Sequence, residues 1–127
     1  MDRRDCLRLL AQSNVGRVAF SERALPTIRP LGYTLVGALV VLRATPKALA
    51  RQLDGQVVAF EVDEIDHVHA SGWSVLVTGT ARLLQQAPES VAITPATITG
   101  RWLPGAASVW SELDRNPPGQ RRSLAGR

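Results

Sequence analysis

Gly72-Trp73-Ser74-Val75-Leu76-Val77-Thr78-Gly79-Thr80-Ala81-Arg82-Leu83-Leu84 carries the longest period-two pattern in the chain. Trp73, Val75, Val77, Ala81 and Leu83 share one face; Ser74, Leu76, Thr78, Thr80 and Arg82 share the other. That alternation predicts a long strand with one face on a core. Gly79 interrupts the apolar face and predicts a bulge or a barrel corner. Just upstream, Gln56 to Val62 repeats the pattern, with Val58, Phe60 and Val62 on one side. Glu61, Asp63, Glu64 and Asp66 then crowd four acids into six residues, which reads as a solvated loop between the two strands. Downstream, Val91–Thr94 and Ile98–Leu103 are short strand candidates on either side of Pro95.

The first half of the chain adds a helix and three more strands. In residues 2–12, Cys6, Leu9 and Leu10 fall at i, i+3, i+4 spacing, the stripe of an amphipathic helix. Ser13-Asn14 marks its end. Val15–Phe20 alternates as a strand, and Ser21–Ala24 is a short polar connection. Thr27–Leu35 is extended but holds Pro30 and follows Pro26. Each proline lacks a ladder donor, so this strand belongs at an edge or a bulge. Val36-Gly37 is a turn. Ala38 to Leu42 is the longest apolar run and reads as a strand covered on both faces. Thr45-Pro46 has the form of a helix start, with Thr45 as N-cap, and Asp54-Gly55 ends that helix. One helix, three strands, a short helix and three or four strands make a mainly β, antiparallel fold with rim helices. Closing the strands into a barrel removes the exposed edges. The expected units are a barrel domain over residues 1–103 and a C-terminal extension over 104–127. The extension is rich in Pro, Gly and Arg and is expected to be partly disordered.

Composition excludes several classes. The chain has 127 residues, 45% of them hydrophobic, which suits one globular domain. No apolar run approaches the roughly 20 residues of a membrane helix, and the N-terminus has no secretory pattern; a cytoplasmic protein is expected. The lone Cys6 excludes an intramolecular disulfide and a Cys-rich zinc site. The net charge of +4 is unevenly placed. Residues 1–100 carry ten basic and nine acidic side chains, and residues 101–127 carry five and two. No nucleic-acid groove is implied.

Catalytic signatures are missing: there is no Gly-x-Ser-x-Gly, Walker A loop or dinucleotide fingerprint. His67 and His69 beside the acidic run fit a solvated loop better than a metal site. Arg43-Ala44-Thr45-Pro46-Lys47 is more informative. It sets two cations, a hydroxyl and a helix start at the end of an apolar strand, which is phosphate-binding chemistry. The alternative is that Thr45 only caps while Arg43 and Lys47 sit in solvent. Arg29 is a further candidate cation. Trp73 stands where it either stacks on a flat ligand or plugs a barrel end, and packing is the commoner role.

Val15–Phe20, Leu25–Tyr33, Val57–Asp66 and Gly72–Ala81, taken in this order, resemble the pyridoxamine 5′-phosphate oxidase-like flavin-binding family, in its small actinobacterial form. The resemblance covers most of residues 5–103. It implies a split β-barrel homodimer with flavin mononucleotide (FMN) held between the subunits. It implies that Arg29, Pro30, Leu31 and Gly32 run beside the isoalloxazine ring, largely through backbone groups. It also implies that Arg43, Thr45 and Lys47 hold the phosphate. Some relatives take the deazaflavin F420, some haem, and some no cofactor. Two features depart from the family pattern. Thr45-Pro46-Lys47 lacks the usual Gly-containing spacer, and only Gln85–Ser90 separate the long strand from Val91. The implied function is a flavin-dependent oxidoreductase of unknown substrate. The alternatives are a non-catalytic flavin, F420 or haem module, and a cofactor-free dimeric scaffold.

Overall fold

The computed structural model describes residues 1–104. The expectations for the tail beyond Pro104 lie outside the described residues. The first element is helix α1 (Arg3–Gln12), and its start is written in the sequence. Asp2 accepts from the Asp5 amide at 2.8 Å, and Asp5 accepts from the Asp2 amide, a reciprocal capping box. Cys6, Leu9 and Leu10 are the buried face, as their spacing predicts.

Strands β1 (Val15–Glu22) and β2 (Leu25–Val36) form a hairpin. Its turn is only Arg23-Ala24, both with positive φ, the conformation that matches strand twist in two-residue hairpins. The pair Glu22↔Leu25 closes the turn, and alternation then puts Pro26 and Pro30 at non-hydrogen-bonded positions. Neither proline removes a bond to β1. Strand β3 (Leu39–Leu42) pairs with β2 only from Tyr33 to Val36. The first half of β2 is therefore the edge that the prolines require.

Helix α2 (Lys47–Leu53) is followed by β4 (Val57–Asp66), β5 (Ser71–Leu84) and β6 (Ala87–Leu103). The strands close in the order β1-β2-β3-β6-β5-β4, antiparallel at every pairing. The split-barrel fold implied by the resemblance is the fold of this chain. Phe60, Val18, Leu42, Val75, Val77 and Ile93 fill the interior. Phe60 meets Tyr33 edge to face at 5.1 Å, and the Tyr33 hydroxyl donates to Leu10 of α1.

Four expectations need correction. The acidic stretch is not a loop: Glu61–Asp66 continues β4, and only residues 67–70 form the turn. Arg17 of β1, bonded to Glu61 and Asp63 at 3.1 Å each, supplies the charge that lets these carboxylates sit on a sheet. The two short strands around Pro95 are one strand, because Pro95 sits opposite Gly79 where the register shifts and no ladder donor is missed. Gly79 thus lies at the expected bulge, whose extra residue is Ala96 on β6; a Cβ on Gly79 would lie 2.0 Å from the Thr94 carbonyl oxygen. The apolar run 38–42 is covered on one face only: Val40 and Leu42 are buried, whereas Leu39 is exposed and Val41 half-buried. Finally, α2 begins at Lys47 with Pro46 in the cap position and no side-chain cap.

Candidate functional site

Residues Leu25–Leu31 of β2 bond to β1 on one side. On the other side, no strand among the described residues pairs with them. Alternation turns the carbonyls of Pro26 and Pro30, and both backbone groups of Ile28, toward that open side. Arg29 lies opposite Val18 and is exposed. The edge ends at Gly32, whose carbonyl accepts the Arg43 amide at 2.9 Å.

That bond brings the second part of the site alongside the first. Arg43 follows β3, and its Nε donates to Thr34 Oγ1, which orients the guanidinium; its outer nitrogens have no hydrogen-bond partner among the described residues. Ala44 takes a positive φ of 49° and swings the chain away from the strand direction. Thr45 is fully buried (0% exposed); its amide donates to the Glu89 carbonyl at 2.8 Å, while its hydroxyl has no partner among the described residues. The N-cap role expected for Thr45 is therefore wrong. The left-handed turn at Ala44 points its amide at the β5–β6 hairpin, and Pro46 occupies the cap. A helix of seven residues offers little dipole, so anion binding here rests on side chains.

Arg43, Ala44 and Lys47 form one wall of an open cleft of ≈ 680 Å³, and Ala87, Pro88, Glu89 and Ser90 form the other. Arg43 and Lys47 make no salt bridge among the described residues. Two such cations on one wall of a cleft suit a phosphate. The residues of the Ala87–Ser90 wall were not foreseen. They reach the cleft by non-local pairing, and the only local sign was the shortness of the 85–90 segment.

Arg29, Pro30, Leu31 and Gly32 thus lie on the β2 edge that the Arg43–Gly32 bond joins to the turn after β3; Arg43 and Lys47 line the cleft, whereas Thr45 is buried and does not line it. Trp73 does not join them within one chain. It is 7% exposed, at the start of β5 opposite Trp102, whereas the cleft lies near Leu83↔Val91. Ten residues of strand, about 33 Å, separate the two ends.

Other polar groups are organised differently. On the outer face, Arg17 joins Glu61 and Asp63, and Ser74 donates to Glu61 at 3.1 Å. Desolvation, then the neighbouring Asp63, pushes the Glu61 carboxyl above its ordinary range. In the β4–β5 turn, Asp66 accepts from the Val68 and His69 amides, and its carboxylate lies 2.7 Å from His69 Nδ1. His67 and His69 belong to no group of three or more metal-ligating side chains among the described residues.

Comparison with known proteins identifies the scaffold. The family model described as pyridoxamine 5′-phosphate oxidase matches residues 2–125. The chain belongs to the pyridoxamine 5′-phosphate oxidase family. It is 43% identical over 98 residues to an uncharacterized protein of Mycobacterium tuberculosis. That match covers 72% of this chain and spans 64% of the relative's length. Among solved structures, a protein described as FAD binding from Mycobacterium smegmatis superposes with a TM-score of 0.72 at 30% identity. The superposition covers 80% of this chain and 94% of that one. A protein described as FAD-binding from Mesorhizobium loti shares the fold, at TM-score 0.67 and 21% identity, over 80% of this chain and 95% of the other.

Proposed function

We propose that this protein is a cytoplasmic, homodimeric, flavin-dependent oxidoreductase that binds the FMN moiety along the β2 edge and the Arg43–Lys47 turn. The observation that carries the reading is the pair of cations, Arg43 and Lys47, that line one wall of the cleft with no salt bridge among the described residues. The free backbone edge of β2, continuous with that turn through the Arg43–Gly32 bond, suits a flat ring with carbonyl and imide edges. The described FAD binding of the M. smegmatis relative supports a flavin.

When bound, the isoalloxazine ring supplies the electron-transfer chemistry. The chain's own residues position it. Arg43, held by Thr34, offers a fixed fork to the phosphate and Lys47 a mobile point charge. Pro26 and Pro30 keep the open edge of β2 from pairing with another strand.

A second copy is part of the proposal. The outer face of the sheet carries one cross-strand row, Ile28-Ala19-Ala59-Thr78-Thr97, and beside it Pro26-Ser21, Val57-Thr80-Thr94. None of these ten side chains is charged, and Ile28 and Val57 are 65% and 70% exposed. An uncharged patch across five strands is unusual for a surface meant for water and suits an isologous dimer. A dimer also offers a route for residues remote from the cleft in one chain, Trp73 among them, to approach the partner's flavin.

The test is the visible spectrum of purified protein after flavin supplementation and desalting, followed by anaerobic addition of NADH, NADPH or reduced F420. Retained flavin that is then reduced supports the oxidoreductase. Retained flavin that no donor reduces supports a non-catalytic flavin module, and absence of any retained chromophore supports a cofactor-free scaffold.

A further inference from the structure

A second cavity lies away from the cleft, where the end of α1 meets the start of β1. It measures ≈ 280 Å³ and is lined by Ser13, Val15, Gly16, Arg17, Pro30 and Asp63. The cross-strand row Pro30-Arg17-Glu61 borders it, one row beyond the uncharged patch. Val15, 57% exposed, and Pro30 give the cavity an apolar side. Gly16 contributes backbone only, since a Cβ there would point inward and lie 2.3 Å from the Phe60 ring.

Arg17 and Asp63 supply the polar side. One nitrogen of Arg17, Nη1, serves both Glu61 Oε1 and Asp63 Oδ2, at 3.1 Å each. Its Nε and Nη2 have no hydrogen-bond partner among the described residues. Asp63 keeps acceptor capacity, because a carboxylate has about four lone-pair sites. A donor thus stands beside an acceptor, and each holds the other in place. Charge narrows what fits there. Two carboxylates share one guanidinium, so no surplus positive charge remains for an anion. Desolvation and then Asp63 raise the Glu61 carboxyl although Arg17 opposes the shift, which agrees with a pair that Arg17 does not fully neutralise. A cation meets the free nitrogens of Arg17, which only donate. An uncharged group with an acceptor and a donor side by side meets neither penalty.

From this arrangement we propose that the cavity binds a small uncharged ligand through a cis-amide edge, as in a lactam ring. The ligand carbonyl accepts from Arg17, its N–H donates to Asp63, and its methylenes lie on Val15 and Pro30. Glu61 is a positioning residue that holds the guanidinium from the far side. The volume is just below the roughly 300–1,000 Å³ of pockets for larger molecules, so a single ring fits and a nucleotide does not. The site stands apart from the flavin reading and does not depend on it.

The experiment is a titration of the isotope-labelled full-length chain, freed of flavin, with δ-valerolactam, followed in amide correlation spectra. Saturable shifts are expected at the Gly16, Arg17 and Asp63 amides, with a Kd on the order of 1–10 mM for so small a ligand. N-methyl-δ-valerolactam lacks the donor and should bind about tenfold more weakly, the scale of one hydrogen bond to a charged group. Cyclohexanecarboxylate and piperidinium, rings of similar size with a charge, should bind more weakly than the lactam. Arg17→Gln should abolish the shifts, and the four ligands on the wild type decide the matter even if that variant does not fold. Absence of saturable shifts at these amides overturns the proposal. So does equal binding of the N-methyl lactam, or tighter binding of either charged ring. Riboflavin added to the lactam complex separates the two sites. Displacement of the lactam overturns a separate site, whereas failure of riboflavin to bind anywhere overturns the flavin reading alone.

Discussion

The amide of Thr45 donates to the carbonyl of Glu89 at 2.8 Å, and this single bond ties the turn after β3 to the hairpin between β5 and β6. The two walls of the cleft are 44 residues apart in sequence, yet fixed to each other through backbone. Using the amide in this way leaves the Thr45 hydroxyl buried and without a partner. Thr45→Val removes that hydroxyl at nearly constant shape. Without ligand, the variant is expected to be as stable as the parent or more so, by up to about 1 kcal/mol, because an unmet buried polar group disappears. Thermal melts of the flavin-free protein measure this; a destabilised variant contradicts the assignment of an unpaired hydroxyl.

Gly79 tests the barrel corner. Its missing side chain leaves room for the Thr94 carbonyl, which a Cβ would approach to 2.0 Å. Gly79→Ala should lower unfolding free energy by about 1–3 kcal/mol, as overpacking does, measured by denaturant melts. Gly37→Ala is the control, since nothing lies within 4 Å of its added Cβ and its cost is confined to the positive φ of 61°.

How much of this was legible beforehand differs by element. The stripe of α1, the alternation of β5 and the bulge at Gly79 are local patterns, and they fold as read. In the candidate site, Arg43, Thr45 and Lys47 fall within five residues and stand out by chemistry, but the Thr-Pro signal misled about the cap. Nothing local reveals that Ala44 turns left-handed to deliver the Thr45 amide to a hairpin far along the chain. The acidic stretch misled for the same kind of reason. Arg17 and Ser74 come from neighbouring strands to neutralise and bond Glu61, and pairing of that kind leaves no trace within the stretch itself.

Glu61 also gives a pH dependence. Its folded pKa is raised, first by desolvation and then by Asp63, although Ser74 and Arg17 oppose the shift. A carboxyl that holds its proton more tightly when folded favours the native state below its unfolded pKa. That contribution is lost as pH rises through the folded value. Over the upper carboxylate range, Glu61 should therefore give stability that declines with rising pH. Glu61→Gln should remove that decline. Melting temperatures from pH 4 to 7 check it, and an unchanged slope in Glu61→Gln counts against the shift.

The uncharged outer row predicts the assembly. Light scattering should report twice the 13.7 kDa chain mass. Ala59 lies in the middle of the row, between Ala19 and Thr78. Ala59→Arg should shift the mass toward the monomer without unfolding the barrel, since the side chain points outward. A wild-type monomer at micromolar concentration contradicts the dimer.

The most direct measurement of the central claim compares FMN with riboflavin, which has the ring and lacks the phosphate, on Arg43→Ala and Lys47→Ala. Each charge-assisted bond contributes about 1.5–3 kcal/mol, so each substitution should weaken FMN about tenfold or more and leave riboflavin nearly unchanged. The double variant should bind the two ligands alike. FMN affinity that survives both substitutions, or a loss shared equally by riboflavin, contradicts the placement of the phosphate between these two cations.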